Sequence, residues 1–321
     1  MHRLMDFTCS IVVRAYNEEA HIGRLLSGLN QQSANNFEVI VVDSGSNDAT
    51  VGIAEGGDWK FPVRVLRIRP EQFSFGRSLN LGIKHALCEI IVIASAHVYP
   101  VYPDWIERLL APFSDVKVGL AYGKQRGGPA TRFPEHQIFA RWFPDQSKIQ
   151  SSNPFCNNAN AAIRKDLWRE HQYDESLSGL EDLEWAKWII DHGHQVAYVA
   201  EAEIVHIHED TPGGVFNRYK REAMAFKRIF PQEQFGFLDF IKLFFSNLIS
   251  DTSVASGEGK LLHDFPTIFW FRLMQFWGTY RGYKQSGPLT QELRQTFYYP
   301  GTTSKQFIDE SRRVKPIRYE D

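Results

Sequence analysis

The sequence predicts an α/β protein with a mostly parallel sheet, helices on both faces and a helical C-terminal extension. Three observations predict it. Short β-rich runs alternate with helical stretches over the first two hundred residues, the order that produces parallel strands joined by crossover helices. FEVIVVDSG (37–45) opens as a continuous apolar run, as strands buried on both faces do. Beyond Pro212 the chain turns to phenylalanine and tryptophan on helical patterns. The expected division is a catalytic unit over residues 1–230 and an aromatic-rich helical extension over 231–321.

SIVVRAY (10–16) reads as the first strand. NEEAHIGRLLSGLNQQ (17–32) follows as an amphipathic helix, with Ile22, Leu25, Leu26 and Leu29 on one face and Asn17 placed to cap it. The second strand (37–45) runs into a turn rich in Ser, Gly, Asn and Asp. PVRVLRI (62–68) is the third strand, SLNLGIKHAL (78–87) a helix, EIIVIASA (89–96) the fourth strand and VGLAYGKQ (118–125) a further one. Arg126 to Pro154 reads as a long loop holding a short helix. The chain re-enters the core near Asn157. LEDLEWAKWIIDHG (180–193) is a helix ending at Gly193, and QVAYVAEAEIVHIH (195–208) returns as a strand. In QFGFLDFIKLFFSNLIS, Asp239, Lys242, Ser246 and Ser250 form one polar stripe on a broadly apolar helix.

Composition excludes several classes. The chain has 321 residues, with 36 basic and 38 acidic side chains for a net charge of −2, which is not the basic balance of a nucleic-acid binder. Its apolar stretches are broken by charge, as at Lys242 and Arg272, short of the roughly 20 residues that span a bilayer. MHRLMDFTCSIVV lacks a signal-peptide layout, so the expectation is a cytoplasmic protein, with peripheral contact at the inner face of the membrane left open. Cys9, Cys88 and Cys156 have no metal or disulfide spacing and are expected to be small buried side chains.

Asp43 ends the second strand, at the sheet edge where open α/β folds bind ligands; the alternative is that it only begins the turn. No glycine-rich phosphate loop follows a strand, so neither a dinucleotide fold nor a P-loop is expected. His206 and His208 are two apart on a strand and share a face. Glu181 and Asp182 are adjacent acids at a helix start, either helix-dipole partners or a general base with its neighbour.

VVRAYNEE, VVDSGSNDAT, FSFGRSLNLGIKHA and GLEDLEWA, together with GKQ (123–125), NAAIR (160–164) and HIH (206–208), resemble in order and spacing the inverting nucleotide-sugar glycosyltransferases of family 2, which have the GT-A fold. The likeness covers about residues 8–230 and is greatest to the rhamnosyltransferase-like bacterial enzymes of surface polysaccharide assembly. It implies transfer of a hexosyl or deoxyhexosyl group, with inversion, from a nucleoside-diphosphate sugar to a saccharide or lipid-linked saccharide. By resemblance, Ala15, Tyr16, Asn17, Glu18, Asp43, Ser44 and Gly45 line the base and ribose pocket. Arg77 and Asn80 face the phosphates or sugar, Ser95 and Ala96 lie beside them, Asp182 is the base and Glu181 its neighbour. Trp185 and Asn160 are acceptor-side candidates.

One departure stands out. Where the family places its metal-binding acid, this chain reads Ser95-Ala96-His97. The expected cofactor is a divalent ion, Mn²⁺ or Mg²⁺, with another transition metal or no metal as the alternatives, held by His97, His206 and His208. A neutral imidazole suits Mn²⁺, Co²⁺ or Zn²⁺ better than Mg²⁺. The basic stretch Arg218, Lys220, Arg221, Lys227 and Arg228 is a further phosphate or lipid contact, and the aromatic helix over 266–284 suits packing, a homodimer or a lipid-linked acceptor. Two other readings remain at this point: a glycosyltransferase-like scaffold that has lost catalysis, and a nucleotidyltransferase.

Overall fold

The computed structural model describes residues 8–208, 211–285 and 314–319. MHRLMDF, and the tail from Ser304 apart from 314–319, lie outside the described residues. The elements in chain order are β1 (Cys9–Ala15), α1 (Ile22–Asn30), β2 (Phe37–Asp43), α2 (Thr50–Gly56), β3 (Val63–Arg67), α3 (Phe75–His85), β4 (Ile90–Ser95), β5 (Val98–Pro100), α4 (Trp105–Leu110) and β6 (Val118–Arg126). There follow α5 (Phe133–Trp142), β7 (Lys148–Gln150), β8 (Asn160–Arg164), α6 (Lys165–Glu170), α7 (Glu181–Asp191), β9 (Gln195–His206), α8 (Pro212–Ile229), α9 (Phe237–Gly257) and α10 (Leu261–Lys284).

The sheet runs β3-β2-β1-β4-β8-β6-β9-β5, with β7 on β9. Its first four strands are parallel, β1 pairing with both β2 and β4 and β2 with β3. Beyond β4 it is mixed, because β8 runs antiparallel to β4 and β6. β1 and β2 are apolar and buried almost throughout, as strands covered on both faces must be. One core layer packs α1 and α4 against the sheet through Leu25, Leu26, Trp105 and Leu109. The opposite layer uses Leu79 and Ile83 of α3 with Trp185 and Ile189 of α7.

Two helix starts differ from expectation. α3 begins at Phe75 because the Ser74 side chain accepts a hydrogen bond from Arg77 N, satisfying one of the donors a helix start leaves open. Asn17 does not cap α1, whose N-cap is His21. Its backbone is instead left-handed, φ 50°, and its Oδ1 accepts from Asn47 N at 2.9 Å, tying the loop after β1 to the loop after β2. The short helices α2, α4 and α6 carry too few turns to show a period in the sequence.

The C-terminal helices are fastened to the sheet unit. α10 lies along α8, and a Cβ at Gly278 or Gly282 would meet Phe216 O or Lys220 O at 2.4 Å, so only glycine permits that approach. Buried Arg272 on α10 bonds Asp251 of α9 at 2.7 and 3.0 Å and Pro134 O of α5 at 3.3 Å. The bidentate geometry is what lets a buried ion pair offset its own desolvation. α5 is thereby held at its N-terminal end by the extension.

Candidate active site

A cavity of about 780 Å³ opens where β1, β4, β6 and β9 end, roofed by α5, α7 and α8. Three of its walls carry chemistry.

The first wall is the loop after β1. Arg14, Ala15, Tyr16, Asn17, Glu18 and Ser44 line the cavity. Glu18 N donates to Thr50 Oγ1 at 2.6 Å and Asn17 N to Ser46 Oγ at 2.8 Å, so the loops after β1 and β2 form one surface. Asp43 is 2% exposed, and its carboxylate accepts from Gly45 N and Ser46 N; it shapes the turn that presents Ser44. Gly45, at φ 95°, supplies the left-handed step that turn needs.

The second wall is the start of α7. Leu180 is left-handed at φ 56°, which costs a non-glycine residue about 1–2 kcal/mol, and it delivers Glu181 and Asp182 to the cavity. Glu181 Oε1 accepts from Arg14 Nη1 at 3.0 Å. Asp182 accepts from Asn158 N at 3.0 Å and Leu183 N at 2.8 Å. Its surface is partly open to the cavity, yet the carboxyl lies deep in protein. Burial, and then the neighbouring Glu181 charge, push its pKa up to about 7 against the pull of those two N–H groups and Arg14. That is the range in which a carboxylate is an effective general base near neutral pH.

The third wall holds three imidazoles. His97, His206 and His208 each offer a ligand atom, all within 4.8 Å of one another. His97 Nδ1 is 2.6 Å from Glu18 Oε1 and its Nε2 3.1 Å from Ser95 Oγ. His206 Nδ1 is 2.8 Å from Gln125 Oε1. His208 Nδ1 is 3.1 Å from both Glu135 Oε1 and Arg218 Nη1. Desolvation, followed by neighbouring positive groups, drives the pKa of His206 and His208 well below the usual histidine value. Both rings are neutral at physiological pH, the state in which imidazole ligates metal. The donor set therefore fits a divalent ion, and His97, His206 and His208 are the residues that would hold it.

An aromatic slope completes the cavity: Phe73, Phe75, Phe139, Trp142, Phe143 and Tyr219. Arg14 and Arg221 stack on Phe75, 4.6 and 4.8 Å from the ring centre. Trp142 is 47% exposed, with its edge held by Phe155 at 5.2 Å.

Several expected site residues lie elsewhere. Trp185 is fully buried and donates through Nε1 to His171 O, so it is core and not an acceptor platform. Asn160, also fully buried, accepts from Trp105 Nε1 and donates to Lys124 O and Ala202 O. It clamps β6 to β9 where their pairing shifts register between Gly123 and Gln125, and so sets where Gln125 and His206 point. Asn80 accepts from Trp168 Nε1 and Tyr173 N and donates to Tyr173 O; it braces the fold from beneath α3. Arg77 pairs with Glu175 at 2.6 Å on the surface, outside the cavity lining. Ala96 is buried in the core.

Arg14, Gln125, Glu135 and Trp142 were not singled out by the sequence. Gln125 belongs to the GKQ element and Arg14 to VVRAYNEE, and both could have been found there. Glu135 and Trp142 sit on α5, in the stretch that reads as loop, and carry no local signal.

The family described as Glycosyl transferase family 2 matches residues 10–171, about half the chain. O-antigen chain rhamnosyltransferase RfbN of Salmonella typhimurium is 28% identical over 223 residues, which is 65% of this chain and 69% of that one. Glycosyltransferase AglE of Haloferax volcanii is 24% identical over 213 residues, 64% of this chain and 68% of that one. Among solved structures, the mannosyltransferase PcManGT from Pyrobaculum calidifontis, in complex with GDP-Man and Mn²⁺, superposes with a TM-score of 0.60. It is 18% identical, over 86% of this chain and 89% of that one. Staphylococcus aureus TarS residues 1–349, with UDP-GlcNAc, gives 0.54 at 16% identity, over 85% of this chain and 91% of that one. These structures have the GT-A fold, and this chain shares it.

Proposed function

The chain belongs to glycosyl transferase family 2, and from that premise we propose that this glycosyltransferase moves a sugar from a nucleoside-diphosphate donor onto a saccharide hydroxyl. Transfer proceeds with inversion, in the assembly of a bacterial surface polysaccharide whose acceptor is free or lipid-linked. The observation that carries the reading is the pairing, in one cavity, of a carboxyl poised near pH 7 with a cluster of three imidazoles and with cationic guanidiniums.

Asp182 takes the proton from the acceptor hydroxyl as that oxygen attacks the anomeric carbon, opposite the departing diphosphate. Glu181 and Arg14 brace it: the 3.0 Å ion pair keeps the Glu181 charge beside Asp182, so Asp182 stays basic enough to act. Arg14, which acts electrostatically on both Asp182 and His206, and Arg218 favour the developing diphosphate charge. A divalent ion at the three histidines would supply further charge neutralisation to that leaving group, as suggested by the Mn²⁺ in the PcManGT complex. Ala15, Tyr16, Asn17, Glu18 and Ser44 take the nucleoside.

For the acceptor, the reading replaces Trp185 and Asn160 with Trp142, whose exposed indole suits a sugar face. Every cavity-lining residue precedes position 231, which supports the division at 230/231, with the later helices as buttress. Among the described residues no helix is long and apolar enough to cross a membrane; a cytoplasmic site of action, with peripheral membrane contact, belongs to the proposal.

The test is transfer with radiolabelled UDP-, GDP- and dTDP-sugars, comparing wild type with Asp182→Asn. One donor supporting transfer in the wild type alone is the expected result. Nucleotide binding without turnover by any donor would overturn catalysis in favour of a binding role.

A further inference from the structure

We infer that the segment 314–319 is a strap that positions the donor wall of the cavity, with Tyr319 acting through Tyr99 on His21. The inference rests on the donor reading of that cavity and deepens it, adding one donor contact, His21, and two residues that position it.

Two hydrogen bonds and one close approach seat the strap. Ile317 N donates to Val101 O at 2.9 Å, and Tyr319 Oη donates to Pro100 O at 2.6 Å, so the segment lies against β5 and the residue after it. On its other side the Tyr319 hydroxyl reaches α1 at Gly28, where a Cβ would fall 2.4 Å from Tyr319 Oη and 3.2 Å from Pro100 Cδ. Glycine at that position leaves the room a tyrosine needs between α1 and β5.

The same two elements carry the donor wall. β5 begins directly after His97, and its Val98 pairs with His206. α1 begins at Ile22, with His21 as its N-cap at the end of the loop that brings Tyr16, Asn17 and Glu18 to the cavity. Tyr99 joins the two. It is buried, its ring lies against that of Tyr319 with the centres 5.7 Å apart, and its hydroxyl is 2.6 Å from His21 Nδ1. The His21 ring lines the cavity, 6.3 Å between centres from the ring of His97. A hydrogen bond at one ring nitrogen fixes the orientation of an imidazole and what its other nitrogen presents. The packing that holds Tyr99 therefore sets how His21 meets the donor.

The experiment is a double-mutant cycle on the full chain. Calorimetry measures binding of UDP, GDP and dTDP with Mn²⁺ to wild type, Tyr319→Ala, His21→Ala and the double variant, and thermal unfolding confirms that each is folded. Hydrogen exchange without nucleotide follows the backbone over 16–24. Tyr319→Ala should weaken the nucleotide that binds wild type about tenfold, the worth of one well-placed hydrogen bond. The double variant should lose no more than about twofold beyond His21→Ala alone. Exchange over 16–24 should quicken about threefold or more in Tyr319→Ala, with that over 181–191 unchanged. Tyr319→Phe, which keeps the ring against Tyr99, should fall between wild type and Tyr319→Ala. Gly28→Ala should weaken binding as Tyr319→Ala does, although alanine is the better helix former. Additive losses in the cycle, unchanged nucleotide affinity in Tyr319→Ala or unchanged exchange over 16–24 would each overturn the inference. If no nucleotide binds wild type while exchange still quickens in Tyr319→Ala, the donor reading falls and the strap's hold on His21 stands.

Discussion

The two halves of the sheet are built on different principles. In the parallel half, β3-β2-β1-β4, the cavity residues come from strand ends and the loops that follow them and are neighbours in sequence: Arg14 to Glu18 from the end of β1 onward, Ser95 and His97 at the end of β4. In the mixed half, β8-β6-β9-β5, the site is made by residues that meet only through tertiary packing. Gln125 of β6 reaches His206 of β9, 81 positions away, and Glu135 of α5 reaches His208 and, on α8, Arg218. In the proposed reading, the parallel half binds the nucleoside through short motifs, and the mixed half handles charge with parts distant in sequence.

The largest expected effect falls where the halves meet. Asp182→Asn should lower kcat about 100- to 10,000-fold, the usual worth of a general base, with nucleotide binding by calorimetry kept within about threefold. The wild-type rate should fall as pH drops through about 7, because only the ionised carboxyl accepts a proton. Glu181→Gln should move that acid limb to lower pH, since it removes the neighbouring charge that raises Asp182.

The same carboxyl makes a stability prediction. Its folded pKa near 7 lies above the unfolded value of 3.8. The folded state holds the proton more tightly, so the penalty is absent below about pH 4, grows from there to pH 7 and is complete above it. Relative to wild type, Asp182→Asn should therefore gain stability at pH 8 that it lacks at pH 4, on the order of 4 kcal/mol, read by urea unfolding at the two pH values.

Smaller effects sharpen the contrast. Trp142→Ala should raise the acceptor KM about tenfold, worth 1.4 kcal/mol, and leave donor KM unchanged; a donor effect instead would place the indole in the parallel half's business. Arg77→Ala, which breaks an exposed pair, should change stability by less than about 1 kcal/mol and donor affinity by less than twofold. A tenfold loss of donor affinity there would return Arg77 to the site.

Legibility divides along the same line. The strands of the parallel half, the loop after β1 and the acids of α7 were readable because buried strands and loop motifs are local in sequence. Asn80, Asn160 and Trp185 looked functional for the same reason: they sit in or beside those motifs. Their side chains, however, are consumed by Trp168 and Tyr173, by Trp105 and two backbone carbonyls, and by His171 O. A motif records that a residue type is required and does not say whether its partner is a ligand or the protein. Glu135 and Trp142 were invisible because α5 takes its position from Arg272, more than a hundred residues later, and no local pattern carries that.

The tight passage at Gly123 bears on how this enzyme could be retargeted. A Cβ there would fall 2.1 Å from Ala202 O and 2.3 Å from Asn160 Nδ2, so any other residue must push β9 aside and carry His206 with it. A library that randomises the cavity's aromatic slope can search new acceptors freely. One that strays into Gly123 or Asn160 will instead sample broken copies of the ion site, and screens for altered sugar preference should hold both positions fixed.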